Sequence, residues 1–245
     1  PTHPVDIDAL RGTLRSTLRE LGTEDRAVNE KRYLKSDLEF FGARVPEIRK
    51  AAQAALRSAG PLEHDAFIAL LEALWTEPVH EMRMAAVQLA GAHADRFELD
   101  DLPLLERLLR EAKTWAYVDT LAATVAGPLL DRHPEGGAIL DRWSEDDDFW
   151  IRRSALLAHL GPLRRGEGDW ERFTRYADAM LEEKEFFIRK AIGWVLRDTA
   201  RERPGMVYEW ILPRAERASG VTIREVVRRL PGDMAQTLLE RYRAR

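Results

Sequence analysis

One four-residue pattern returns six times along this chain, and its period constrains the fold more than any other feature. The pattern is an apolar residue, usually an arginine, a variable residue and usually a small one. It reads Ile48-Arg49-Lys50-Ala51, Met82-Arg83-Met84-Ala85, Tyr117-Val118-Asp119-Thr120, Ile151-Arg152-Arg153-Ser154, Ile188-Arg189-Lys190-Ala191 and Ile223-Arg224-Glu225-Val226. The second positions, 49, 83, 118, 152, 189 and 224, lie 34, 35, 34, 37 and 35 residues apart. Chance does not hold such a period over six copies. That length suits two helices of about 12 to 15 residues each with two turns. Such a pair cannot bury its apolar face alone, so the copies must stack.

The remaining sequence agrees with helices. Alternating β-branched runs are almost absent, and apolar residues recur three and four apart, as in Leu70-Leu71-Leu74-Trp75 and Leu156-Leu157-Leu160. Breakers at Gly60-Pro61, Gly127-Pro128, Gly136-Gly137, Gly161-Pro162 and Pro204-Gly205 divide the chain into short helical pieces. The expectation is an all-α single domain over residues 1–245. The stack resembles HEAT-like repeats, although its period is shorter than their usual length of about 40 to 47 residues. No apolar run approaches the roughly 18 residues that span a bilayer, and the start, Pro1 to Leu21, alternates charges with leucines rather than reading as a signal peptide. Pro1 suggests a trimmed chain or a lost initiator Met. The chain has no cysteine, which removes thiol nucleophiles, disulfides and Cys-ligated metal centres and fits a cytoplasmic location. The net charge of −4 means that any nucleic-acid site is a local patch and not a global basic field.

Equivalent positions of stacked repeats lie side by side. The third positions therefore form a row: Lys50, Met84, Asp119, Arg153, Lys190 and Glu225. Residues four apart share a helix face, which adds Trp115 before Asp119 and Trp194 after Lys190. A row with two indoles, a carboxylate and cations is a candidate site, expected on the concave surface where solenoids bind. Asp119 has two readings, an inter-repeat salt bridge with Arg153 or a carboxylate held ionised beneath a substrate that develops positive charge. The recurring arginine, at 49, 83, 152, 189 and 224, reads as a structural bond at each repeat junction. Arg153 stands outside that series and reads as the freer candidate for a phosphate. Trp75, Trp143, Trp150 and Trp210 read as packing. Glu145-Asp146-Asp147-Asp148 reads as helix initiation and not a metal site. The six histidines, at 3, 64, 80, 93, 133 and 159, show no paired ligand spacing, and no nucleotide-binding glycine motif occurs. No metal or cofactor is expected. The segment from Arg201 to Arg245 holds ten arginines and six acids, mostly solvated helix faces, some within reach of a phosphate backbone.

The segment Lys184-Glu185-Phe186-Phe187-Ile188-Arg189-Lys190-Ala191-Ile192-Gly193-Trp194-Val195-Leu196-Arg197 closely resembles the signature of the AlkD-like alkylpurine DNA glycosylases. Tyr33-Leu34-Lys35, Phe41-Gly42, Pro46-Glu47-Ile48-Arg49, the Trp115 to Asp119 spacing and Trp150-Ile151-Arg152-Arg153 match in order, so the resemblance covers roughly residues 25 to 230. It implies a right-handed α–α superhelix of about six HEAT-like pairs holding duplex DNA in a concave cleft. It implies base excision of cationic N3- and N7-alkylated purines, such as N3-methyladenine and N7-methylguanine, without insertion of the base into a pocket. Trp115 and Trp194 would contact the lesion deoxyribose, Asp119 would be the catalytic carboxylate and Arg153 would hold the adjacent phosphate, all exposed to DNA. Tyr33, Lys35, Arg44, Lys190 and Arg197 would be further DNA contacts. The partner would be duplex DNA with alkylated bases, the protein a cytoplasmic, nucleoid-associated monomer without a membrane or metal partner. An alkylated purine already carries positive charge, so the enzyme need only stabilise the oxocarbenium-like sugar and position water. Ala116 and Tyr117 depart from the expected neighbours of Trp115 and bear on lesion preference. Two rivals stand beside this reading: a noncatalytic binder of branched or damaged DNA, and a protein-binding scaffold that the acidic net charge favours.

Overall fold

The computed structural model describes residues 4–245; Pro1 and His3 lie outside them. Among the described residues there is no strand, only one parallel bridge between Glu39 and Val79. The all-α expectation is met. The chain forms two packing units, one ending at Phe97 and one spanning Glu98–Arg245.

The first unit contains α1 (Ile7–Leu21), α2 (Glu24–Leu34), α3 (Val45–Ser58), α4 (His64–Thr76) and α5 (His80–Ala92). Asp6 and Thr23 cap α1 and α2 by accepting from Ala9 N and Arg26 N, which satisfies orphan amides of the first turn. α1 and α4 supply Leu14, Leu18, Phe67, Leu71 and Trp75 to a core that α3 and α5 close with Ile48 and Met82. Glu81, fully buried, anchors the loop before α3: its two oxygens accept from Phe41 N at 2.8 Å and Gly42 N at 3.0 Å. Gly42 sits at φ 84, and a Cβ there would meet Thr23 O at 2.1 Å, so only glycine closes this loop.

The second unit runs through α6 (Leu102–Ala112), α7 (Trp115–Thr120), a π-helical stretch (Leu121–Ala126), α8 (Gly127–Asp131), α9 (Gly136–Ser144), α10 (Phe149–Leu157), α11 (Leu160–Arg164), α12 (Trp170–Met180), α13 (Phe186–Ala200), α14 (Pro204–Ile211), α15 (Gly220–Val226) and α16 (Gly232–Arg243). α10 packs on α6, α9 and α13, and α13 packs on α15. Gly193 permits that last contact: a Cβ there would fall 2.7 Å from Glu225 Cβ and 3.2 Å from Thr222 Cα.

The repeat pattern has a clear physical basis. Its first residue is core in every copy: Ile48, Met82, Tyr117, Ile151, Ile188 and Ile223 are all buried. Truncating one of these isoleucines to alanine costs about 2 to 5 kcal/mol. The recurring arginine binds what precedes its own helix. Arg83 Nε donates to Trp75 O at 3.0 Å, Arg152 Nη1 to Asp146 O at 2.8 Å, and Arg189 Nε to Glu183 O at 2.7 Å. These carbonyls lie at or just past a helix end, where no amide is available to them. The bond therefore closes each helical pair. Arg49 bonds Gln88, and Arg224 lies against Gly220 instead.

Trp75, Trp143 and Trp150 are core, as expected, whereas Trp210 is half-buried, edge-on to Trp170 and under the Arg214 guanidinium. Asp148 caps α10 by accepting from Trp150 N at 2.8 Å, which agrees with helix initiation. Asp146 does something the sequence did not reveal, a two-pronged ion pair with Arg110 at 2.6 and 3.0 Å. That pair, partly screened from water, holds the Asp146 carboxyl below its ordinary pKa.

Candidate functional site

The row splits into two rungs in the second unit. The first is Asp119 with Arg153. Asp119 projects from α7, which Thr114 caps through Ala116 N. Arg153 projects from α10. Its Nε and Nη2 donate to Asp119 Oδ1 and Oδ2, each at 2.9 Å, and its Nη1 donates to the carbonyl of Phe187. Its guanidinium also lies 5.7 Å from the Phe187 ring centre. Both side chains were expected to face DNA. The structure corrects this for Arg153: its side chain is 3% exposed, against 20% for Asp119. All three of its nitrogens are engaged, so it holds the carboxylate and has no face left for a phosphate. Planar, forked hydrogen bonding suits arginine to this task.

The second rung is Glu225 with Lys190 and Arg197. Lys190 donates to Glu225 Oε1, and Arg197 Nη1 donates to Glu225 Oε2 at 2.6 Å. Arg228 adds a third cation at 3.8 Å. Burial pushes the Glu225 carboxyl up, but the Lys190 bond and the surrounding positive charge outweigh it, and its pKa lies below the ordinary 4.5.

Trp115 is 39% exposed at the start of α7, and Trp194 is half-buried on α13. Trp194 and Asp119 line one open cavity of about 550 Å³. The structure thus brings Asp119, Arg153 and Trp194 to one place, with Trp115 one helical turn before Asp119. The cavity also reaches Arg132, Arg164 and Arg165, which sequence reasoning missed because none belongs to the repeating pattern. Tyr33, Lys35 and Arg44 are exposed in the first unit. Lys35, at φ 51, forms the left-handed cap of α2. Of the row's other members, Lys50 is exposed and Met84 is buried. The arginines after residue 200 are less solvated than expected. Arg203 bonds the carbonyls of Leu163 and Glu167, and Arg214 and Arg217 bind Asp178.

One side-chain trio in the first unit has metal-ligand geometry: atoms of Glu30, His80 and Glu81 lie within 4.8 Å of one another. Spacing along the sequence did not reveal it, since α2 and α5 bring it together. Its carboxylates already have occupations. Glu81 anchors the loop, and Glu30 pairs with Arg26. Burial raises the Glu81 pKa, the two loop amides lower it in part, and Glu30 raises it further.

A family model of DNA alkylation repair enzymes matches residues 14–230. The chain belongs to the DNA alkylation repair enzyme family. Membership assigns it to the repair of alkylated DNA, with DNA as partner. A solved chain from Enterococcus faecalis, named a predicted DNA alkylation repair enzyme, shares the fold with a TM-score of 0.75 at 24% identity, covering 86% of this chain and 97% of that one. No protein of curated function matches. Among the described residues no helix is long and apolar enough to cross a membrane.

Proposed function

We propose that this family member is a monofunctional DNA glycosylase that hydrolyses the N-glycosidic bond of N3- and N7-alkylated purines in duplex DNA. The observation that carries the reading is the posture of Asp119. A carboxylate has about four acceptor positions. Arg153 takes one on each oxygen from the buried side, and the exposed edge faces the cavity shared with Trp194.

The chemistry needs little else. The lesion base is already cationic and departs without protonation, taking the electrons of the C–N bond with it. Positive charge then develops on the sugar. Asp119 stabilises that charge and orients a water whose oxygen bonds to the anomeric carbon. The water's proton passes to the carboxylate and on to solvent. A charge fixed before the reaction begins is worth more than one that must reorganise, and Arg153 fixes this one. The electron-rich faces of Trp115 and Trp194 favour a cationic sugar in the same way. Lys190, the lysine of the row nearest Trp194, is tied to Glu225, so no amine is offered to the abasic sugar and strand cleavage is not expected.

A noncatalytic DNA-binding reading draws on the same bond, because a two-pronged pair 34 residues apart is also what a repeat junction needs. The test is release of N7-methylguanine from methylated duplex by wild type and Asp119→Asn. The glycosylase reading expects release by wild type and loss of at least about 100-fold in the variant, with duplex affinity kept. No release by wild type overturns it in favour of the binder. Equal release by both overturns the role of Asp119.

A further inference from the structure

Resting on the glycosylase reading, we infer that the arginines at the outer part of the Asp119 cavity, Arg132, Arg164 and Arg165, form a phosphodiester clamp that grips the duplex backbone away from the lesion. The argument begins with what Arg153 cannot do. Its guanidinium is buried and fully bonded to Asp119 and Phe187. The cationic hold on the DNA must therefore come from other residues of the unit.

The cavity wall supplies them. Asp119 and Trp194 lie on the same cavity as Arg132, Arg164 and Arg165, with Asp131 the other acid there. Away from Asp119 the cavity thus carries three cations and one carboxylate, which disfavours a cationic base and favours a polyanion. Arg165 is 60% exposed, and its nearest acid, Glu167, is 3.7 Å away and itself exposed. Arg164 shares Asp198 at the surface. Exposed pairs of this kind are weak and exchange readily for a phosphate. Arg132 caps α8, and Arg164 ends α11, where helix dipoles hold cations in place.

Distance sets the register. Asp119 and Arg132 are thirteen residues apart along one continuous helical run, a rise of roughly 20 Å. A phosphate bound there is not the one beside the lesion sugar. It lies several nucleotides along the same strand, or on the complementary strand.

The test uses full-length protein and fluorescent duplex without a lesion, so binding is read independently of catalysis. Arg164→Ala/Arg165→Ala should bind about tenfold more weakly near 0.1 M salt, and the slope of log affinity against log salt should shrink by about one or more. Arg165→Lys should recover part of both. On methylated duplex, the double variant should lose more in KM than in the single-turnover rate. A methylphosphonate scan then locates the contact. A neutral linkage at one position, on the lesion strand or its complement, weakens wild type but not the double variant, and the strand carrying it identifies the source. Unchanged affinity and slope in the double variant overturn the clamp, whether or not wild type releases bases. A wild type that binds with the expected slope but releases no base leaves the clamp standing and fells only the glycosylase reading.

Discussion

The two rungs of the second unit are near mirror images. In the first, the carboxylate comes early in the chain and the cation 34 residues later. In the second, the cation comes first and the carboxylate 35 residues later. Burial is reversed as well. Arg153 is 3% exposed beneath a 20% exposed Asp119. Glu225 is 3% exposed beneath a 40% exposed Lys190. Whichever partner is buried serves as a foundation, and the other is what the surface presents. One period thus yields two opposite surfaces, a fixed negative charge beside Trp194 and a fixed positive cluster one repeat further on. The pairing explains how an acidic protein keeps a local basic patch: its acids are spent underneath.

The largest effect that separates the rungs is loss of a foundation. Arg153→Met should lower the unfolding free energy by about 3 to 5 kcal/mol, because it leaves Asp119 and the Phe187 carbonyl without their donor; chemical denaturation measures it. A loss below 1 kcal/mol would mean that Arg153 does not hold Asp119 as described. Glu225→Gln should cost somewhat less, about 3 kcal/mol, since the amide still accepts one hydrogen bond. It should also loosen Lys190 and Arg197, visible as a change in the salt dependence of DNA binding.

Acid tests the second rung without a mutation. Glu225 titrates below 4.5 in the folded state, so its contribution is complete above the ordinary value and is lost as pH falls through the depressed one. Two buried histidines act earlier. His80 and His159 are each lowered from 6.5 to about 4 by burial. Their unfolded forms take up a proton first, so stability is full above about pH 6.5 and falls toward pH 4. The loss between pH 7 and pH 5 should be about 2 kcal/mol per histidine. Melts across pH should show the histidine part unchanged in Glu225→Gln and the part below pH 4.5 removed. The smallest effect should be Lys190→Ala. Its exposed half of the rung contributes under about 1 kcal/mol to stability, while duplex binding should become less salt-dependent. A large destabilisation would show that the two rungs are not built alike.

Much of this was legible in the sequence. The period gave the helical pairs, and the buried first position of each copy confirms the register. The third position located Asp119, Arg153, Lys190 and Glu225, which do pair across repeats. What could not be read was depth. Spacing says that Arg153 and Asp119 share a row, not which of them lies underneath; that depends on Phe187 and its carbonyl, supplied by another helix. The Asp146–Arg110 pair, the Glu81 anchor and the arginines of the cavity were equally hidden, since each is made by residues outside the repeated four.

The π-helical stretch after Asp119 has a consequence for phase. In an unbroken α-helix, thirteen residues turn roughly 220° beyond whole turns, so Asp119 and Arg132 would look in nearly opposite directions. A π turn takes one residue more to come round, and each such residue gives back roughly 100°. The two side chains are thereby brought toward a common bearing, which is how both reach one cavity. Removing a single residue between Leu121 and Ala126 would restore the ordinary winding and swing everything downstream in α8 out of alignment with the carboxylate. The irregular stretch acts as a phase shifter, setting how far from Asp119 the molecule's reach extends.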